Sequence, residues 1–437
     1  MRHIKPYQIF ESSSAAALTP VQINWLNKCT KGSWKLNSST GLIDIEGHFN
    51  CNSQSLKELN GVKFGKVSGD FYCSGNYLTT LAGAPQTVNG HFDCHINQLT
   101  TLSGAPQTVG GHFDCHGNQL TTLAGAPQTV NGNFYCHINQ LTTLAGAPQT
   151  VGRDFYCNEN QLTTLQGAPQ SVGMDFHFSG NQLTTLAGAP QTVGGNYYCR
   201  GNQLTTLAGA PQTVGGHFDC RGNQLTSLKG APQSVGGHFD CGGNQLTSLK
   251  GAPQSVGGHF DCGGNQLTNL VGAPESVNRS FWCSRNSLTS LEGAPQEVGG
   301  DFDCSRNNIS SLEGSPQRVG GYFGCDRNSL TSLKGAPRTI KRDFNCNINQ
   351  LTSLEGAPQT VDGDFDCEYN PVSESALKAI FGLMKGGKTY QQALERYWPK
   401  MSYEDKSLMY KDHSSLTPEE VREYKALATY NNIKGYL

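Results

Sequence analysis

Charge is scarce in this chain. Only 15% of the residues are charged, against about 25% in an average soluble domain. The 32 basic and 34 acidic side chains leave a net charge of −2. A chain so balanced has no field for coating nucleic acid and does not mimic an acidic polymer, so a nucleic-acid partner is not expected. No apolar run approaches the roughly 18 residues of a membrane span. The opening residues, MRHIKPYQIFESSSAAALTP, lack the apolar core of a secretory leader, so a cytoplasmic protein is expected. No Cys-x-x-Cys pair occurs, so the usual zinc signature is missing. No nucleotide-binding loop, Ser-His-Asp constellation or metalloprotease helix stands out, and neither an enzyme nor a cofactor is expected.

Glycine and cysteine, by contrast, are abundant, at 53 and 16 residues. From Cys73 the cysteines recur at 94, 115, 136 and 157, and again from 199 to 367. Each step is 21 residues, and Phe178 fills the one gap. Such regularity marks a repeat array. The unit around Cys115 reads HFDCHGNQLTTLAGAPQTVNG, with Phe113, Cys115, Asn118, Leu120, Leu123, Gly125, Pro127 and Val130 nearly fixed. A degenerate unit sits at Phe49 and Cys51. The units at 217 and 238 differ only in Arg221 against Gly242. Repeats this alike point to duplication, which seldom yields a single catalytic centre.

Within a unit, His112 to His116 alternates with a period of two. That predicts a short strand with Phe113 and Cys115 on one face. Stacked units would form a parallel sheet with strands about 4.8 Å apart. Phe113, Cys115, Leu120, Leu123 and Val130 would then line up as apolar ladders. Asn118 is placed to satisfy the backbone of the turn. Gly125 and Pro127 exclude a helix on the return limb, which should be irregular, extended or a 3₁₀ turn. Inward cysteines in such a ladder act as small apolar side chains rather than ligands or disulfides.

The segment Phe113-x-Cys115-x-x-Asn118-x-Leu120 resembles the strand–asparagine core of the leucine-rich repeat family. The Asn-Gln-Leu-Thr-x-Leu run is similar to the short repeats of secreted bacterial ubiquitin-ligase effectors. The chain as a whole resembles the uncharacterised leucine-rich repeat proteins of large tailed bacteriophages. Two features depart from the family pattern: Val130 stands four residues before Phe134 rather than three, and cysteine replaces the second strand leucine. No cysteine follows Cys367, so the ligases' catalytic domain does not carry over. The resemblance implies a β-rich repeat solenoid of 21-residue units with a parallel β-sheet on one face. It implies protein binding in the host cytoplasm, for a phage-encoded chain against a bacterial host protein, with inhibition of host defence as the implied role.

Three divisions are expected. Residues 1–48 form an N-terminal cap, with a helix from Pro20 to about Lys28 started by Thr19-Pro20-Val21-Gln22, and strands near Trp34–Leu36 and Ile43–Ile45. Residues 49–370 form about 16 repeat units. Residues 371–437 form an α-helical C-terminal cap or small module, with helices near 374–385, 390–397, 403–411 and 418–430.

Side chains flanking the strand Phe and Cys would form columns across the sheet, an extended binding surface. Tyr72, Tyr135, Tyr156, Tyr198 and Trp282 are candidate partner anchors, or else cross-strand packing residues. Arg285, Arg306 and Arg327 recur two places after their cysteines and would suit an acidic partner. His91, Asp93, His95, His112, Asp114 and His116 form a candidate metal or polar face, since imidazole and carboxylate at this spacing are metal-ligand types. A pH-sensitive polar face is the simpler reading. The leading expectation is a non-enzymatic protein-binding solenoid. The alternatives are a metal-binding scaffold or metal-dependent enzyme on the His/Asp face, and an ice- or surface-binding solenoid using columns such as Thr121-Thr122.

Overall fold

The computed structural model describes residues 18–352, 356–367 and 369–371. The chain divides into two compact units. The first runs to Gln182 and includes Gly188–Thr192; the second comprises Leu183–Ala187 and the residues from Val193 onward. The expectations for 372–437, and so the C-terminal helices, lie outside the described residues.

The first unit opens with helix α1, Pro20–Cys29. Thr19 caps it reciprocally: its Oγ1 accepts from Gln22 N at 3.2 Å, and its own N–H donates to Gln22 Oε1 at 2.9 Å. The helix buries Trp25, Leu26 and Cys29. Trp25 meets the rings of Phe49 and Phe64 edge-on, with centroids 5.1 and 6.2 Å away. Strand β1, Thr30–Leu36, pairs antiparallel with β2, Ile43–Asn50, over seven residues. A sheet edge that would otherwise offer unpaired backbone groups is thereby covered.

From β2 onward the described strand pairs within each unit are parallel. Phe49 aligns with Phe71, and the column continues through Phe92, Phe113, Phe134, Phe155 and Phe176. In the second unit the corresponding column is Tyr197, Phe218, Phe239, Phe260, Phe281, Phe302, Phe323, Phe344 and Phe365. These rings are buried and stack face to face in most steps, for example Phe113 on Phe134 at 5.3 Å and Phe260 on Phe281 at 5.2 Å. Cys115, Leu120, Leu123 and Val130 and their equivalents are also buried, so the predicted apolar ladders are present. Phe178 takes the cysteine position and is equally buried.

The strand is shorter than its alternation suggests. Regular β-geometry covers only Phe113–Asp114, although the backbone ladder continues. Phe113 N, Cys115 N and Gly117 N each donate to a carbonyl of the next repeat, those of Asn133, Tyr135 and His137. The chain then turns through a left-handed residue, here Gly117 at φ 63°, a conformation that glycine adopts without strain.

A second parallel ladder runs along the return limb, for which the sequence predicts an irregular, extended or 3₁₀ segment without ladder pairing. In the first unit it joins strand β3, Phe64–Val67, to Val88, and Val109, Val130, Val151 and Val172 follow. In the second unit it forms two runs, Val214 to Val256 and Val277 to Val361.

Asn118 does more than close its own turn. Its Nδ2 donates to the carbonyls of Cys115 and His116 and reaches back to Cys94 O at 3.2 Å, while its Oδ1 accepts from Leu99 N at 3.0 Å. The pattern recurs along both units, as at Asn244. Buried amide groups are thus satisfied by a side-chain ladder stitching each repeat to the one before.

Candidate functional site

Three columns line the sheet face, and each has its own chemistry. The first is the residue before the strand Phe. His91 Nδ1 accepts the backbone N–H of His112 at 2.8 Å, and His112 Nδ1 accepts that of Asn133 at 2.7 Å. In the second unit Asn196 Oδ1, His217 Nδ1, His238 Nδ1 and His259 Nδ1 accept from His217, His238, His259 and Ser280 in turn. Histidine, asparagine, aspartate and serine at this position all supply an acceptor. A ring nitrogen that accepts from an N–H carries no proton, so these imidazoles are held in the Nε2–H form. The rings stack, His91 on His112 at 4.4 Å and His217 on His238 at 4.1 Å.

Glycine before this column lets the chains approach. A Cβ at Gly132 would lie 2.6 Å from His112 Nδ1. Where Arg153 and Met174 stand in that place, the following bonds, Asp154 N to Asn133 Oδ1 and Asp175 N to Asp154 Oδ1, lengthen to 3.3 and 3.1 Å. Burial is the main force lowering the pKa of His112, with the neighbouring His91 ring next, since a second positive charge beside it would be repelled. His238 is pushed down to about 4, first by burial and then by His217 and His259.

The second column lies between Phe and Cys, and it is half-buried rather than fully exposed. It carries Tyr72, Tyr135, Tyr156, Tyr198 and Trp282. Tyr72 donates to Asp70 Oδ2 at 2.9 Å, and burial followed by that bond pushes its phenol up to about 12. Tyr135 accepts from Asn133 Nδ2 and tilts against Tyr156 with centroids 5.3 Å apart. Trp282 stacks on His259 at 4.7 Å. Elsewhere the column is mostly aspartate, with His177, Gly324 and Asn345 breaking the run; the aspartate Oδ1 accepts the N–H two residues on, as Asp93 does from His95 and Asp114 from His116.

The third column follows Cys. In the first unit it is a histidine stack: His95 on His116 at 4.6 Å and His116 on His137 at 4.4 Å. His95 Nδ1 meets Asp93 Oδ1 at 2.5 Å, and His116 Nδ1 meets Asp114 Oδ1 at 2.7 Å. Asp114 accordingly raises the pKa of His116, against the opposing effect of burial. His95, Asp114 and His116 offer ligand-type atoms all within 4.8 Å of one another. Their rings lie 9° from parallel, so the outward nitrogens run side by side rather than converging as tetrahedral coordination needs. Of the six predicted face residues, then, Asp93, His95, Asp114 and His116 come together as two Asp–His contacts. His91 and His112 belong to the separate acceptor column.

Arg285, Arg306 and Arg327 are exposed and lie beyond the strand, at the left-handed turn position, with φ of 57°, 56° and 54°. Arg327 has Asp326 at 3.8 Å. Ile96 and Ile138 occupy the same conformation and are 56% and 48% exposed. Sequence reasoning missed them, although a β-branched residue with positive φ is strained and functional sites are where such strain collects.

The Thr columns have a structural task. Thr122 Oγ1 accepts from Ala124 N at 3.2 Å, and Ser227 Oγ does the same for Lys229 N at 3.1 Å. A serine hydroxyl suffices for that bond, which explains the Thr/Ser exchange.

In the second unit the column after Cys changes character: Arg221 is followed by Gly242, Gly263 and Ser284. Arg221 holds two carboxylates, with Nη2 2.9 Å from Asp219 Oδ2 and Nε 2.8 Å from Asp240 Oδ2. Beside it lies a groove of about 550 Å³ lined by Gly242, Gly263, Asp261, Trp282 and Asp303 among others. Burial foremost, with Asp261 and Asp219 adding to it and Arg221 opposing, pushes Asp240 up to about 7. A larger groove, about 980 Å³, follows the second ladder from Ser276 to Lys341.

No described helix is long and apolar enough to cross a membrane. No family model and no curated protein matches the chain. Solved structures do. YopM from Yersinia enterocolitica aligns at 23% identity over 76% of this chain and 74% of its own, with a TM-score of 0.57. YopM from Yersinia pestis, described as a leucine-rich effector protein, aligns at 20% identity over 74% of this chain and 84% of its own, with a TM-score of 0.47. The functional domain of InlJ from Listeria monocytogenes aligns at 16% identity over 74% of this chain and 73% of its own, with a TM-score of 0.39. The fold is that of the leucine-rich repeat proteins, a parallel-strand solenoid of 21-residue units.

Proposed function

We propose that this chain is a non-enzymatic protein-binding solenoid. The observation that carries the reading is the division of labour within each repeat. Inward Phe, Cys, Asn and Leu scarcely vary, whereas the sheet-face positions change from unit to unit on an unchanging backbone lattice. Variation confined to one surface is what recognition of a shaped partner requires. Tyr72, Tyr135, Tyr156, Tyr198 and Trp282 would be its aromatic anchors, and Arg285, Arg306 and Arg327 its cationic rim.

A catalytic reading fares worse. The Cys115 thiol, like its neighbours, is pushed well up by burial, away from the thiolate a nucleophile needs. The Nδ1 atoms of His91, His112, His217, His238 and His259 are already occupied by backbone N–H groups.

The finer reading is that the chain is phage-encoded and acts in the cytoplasm on a bacterial host protein. It rests on the resemblance of the repeats, and buried thiols suit a reducing compartment. Residues 1–48 would serve as the cap on 49–370, and 371–437 as a second cap or module. Affinity capture from bacterial lysate should retain one host protein on the full chain and lose it on Arg285→Glu/Arg306→Glu/Arg327→Glu. Absence of any specific protein across several salt concentrations would overturn the reading.

A second reading rests on the proximity of His95, Asp114 and His116. Under it the face holds zinc once a ring has rotated. Zinc retained through dialysis by the full chain but lost in His116→Ala would favour it, and equal retention by both would dismiss it.

A further inference from the structure

Arg221 shows how this surface holds a guanidinium. Its Nε and Nη2 fork onto Asp219 at 3.1 and 2.9 Å, and Nε also reaches Asp240 Oδ2 of the next repeat at 2.8 Å. A guanidinium gripped at two edges between stacked carboxylates is the geometry that arginine, rather than lysine, satisfies. One repeat further, the aspartates continue but the arginine does not. Asp240 and Asp261 are paired across the strands, yet Gly242 stands where Arg221 stood, and Gly263 follows it.

The missing side chains leave the groove of about 550 Å³. Its base is a run of glycines, and Asp261, Trp282 and Asp303 line it, with Arg221 and Arg285 also in its wall. Asp261 Oδ1 accepts from Gly263 N at 2.8 Å, and among the described residues no cation lies within ion-pair distance of its carboxylate. Burial, the largest influence, raises the pKa of Asp261. Arg221 lowers it only from beyond ion-pair distance, so this half-buried carboxylate lacks a contacting counterion, and a cation entering from outside would supply one. Trp282 adds an aromatic surface suited to a planar cation.

We propose that this groove is a receptor slot for an arginine side chain of the partner protein, its guanidinium taking between Asp240 and Asp261 the place that Arg221 fills between Asp219 and Asp240. The proposal rests on the protein-binding reading and names the chemistry of one contact. The exposed Arg285 at the wall gives an acidic residue neighbouring that arginine a place to sit, so the matching segment pairs a basic with an acidic side chain.

The test needs no partner. The chain has four tryptophans, so ¹⁵N-indole labelling gives few signals, and Trp282→Phe assigns the relevant one. N-acetyl-arginine N-methylamide is titrated in EDTA beside its neutral citrulline counterpart. The expected result is a saturable shift of the Trp282 signal with the arginine probe, weakened at least about tenfold with citrulline, as loss of a charge-assisted fork implies. Gly242→Arg should abolish it, because the chain's own arginine then occupies the slot. A Cβ at Gly242 has as its nearest neighbour Gly263 O at 3.2 Å, so the substitution needs only a small adjustment. Asp261→Asn should weaken binding about as much as the citrulline exchange does. Equal response to both probes, no saturable shift, or undiminished binding in Gly242→Arg or Asp261→Asn would each overturn the slot. None of these would touch lysate capture by the full chain, so the two readings fail separately.

Discussion

The repeats around Asp93 and Asp114 in the first unit and those around Asp240 and Asp261 in the second share one backbone and differ in how their carboxylates are answered. In the first unit each aspartate has its own imidazole, His95 or His116, held on the same strand. In the second a single guanidinium, Arg221, serves Asp219 and Asp240, and Asp261 is left over. The inward residues are the same in both. The difference between these repeats therefore lies in the column after Cys, on an inward scaffold that does not change.

That claim can be broken at the scaffold first, where the largest effects are expected. Asn118→Ala and Asn244→Ala each orphan several buried amide groups. Each should destabilise its unit by on the order of 3 kcal/mol, read as local hydrogen-exchange protection. Equal losses in the two units would confirm a shared scaffold; a much smaller loss at either would refute it.

Acid should come next. His238 has an ordinary value near 6.5 in the unfolded chain and about 4 in the folded one. Between those values the unfolded chain binds the extra proton, so the stabilising contribution is full above about 6.5 and is lost as pH falls toward 4. Asp240 works against it: its folded value of about 7 lies above the unfolded 3.8, so its contribution declines as pH rises through the same window. His238→Asn keeps an acceptor, as Asn196 demonstrates, and removes only the first effect. Its melting temperature should therefore fall less than that of the parent between pH 6.5 and 4.

A subtler change sharpens the comparison at the carboxylates. Arg221→Gln should move the titration midpoint of Asp240 upward from about 7, since Arg221 opposes burial there. Carboxyl ¹³C shifts would follow it, and an unmoved midpoint would mean the guanidinium contributes nothing. Smallest of all should be the stability change from Tyr135→Ala. A half-buried face position falls near the roughly 0.5 kcal/mol typical of surface substitutions, although partner capture should weaken.

The period, the inward ladders and the Thr19 cap were legible because each rests on one residue type recurring at one spacing. The acceptor column was not, because His112, Asn133, Asp154 and Ser280 share an acceptor atom rather than a name. The second ladder escaped because two residues, Thr129 and Val130, are too few to display a period. The left-handed turn hid behind its occupants: Gly117 announces such a turn, but Ile96 and Arg285 do not. The slot is the clearest case. The exchange of Arg221 for Gly242 is the single difference between two units and is plain in the sequence. Its meaning depends on Asp240 and Asp261 being stacked beneath the vacated place, and only the fold supplies that.

The cysteine ladder has a consequence for watching the molecule move. Nearly every repeat holds one thiol, fully buried and kept protonated by that burial. An alkylating reagent reaches such a sulfur only when its own repeat opens. Pulse labelling followed by peptide mass analysis would thus time the opening of each turn of the coil separately, with Phe178 as the one silent rung. The chain carries a clock in almost every repeat, and no label has to be engineered to read it.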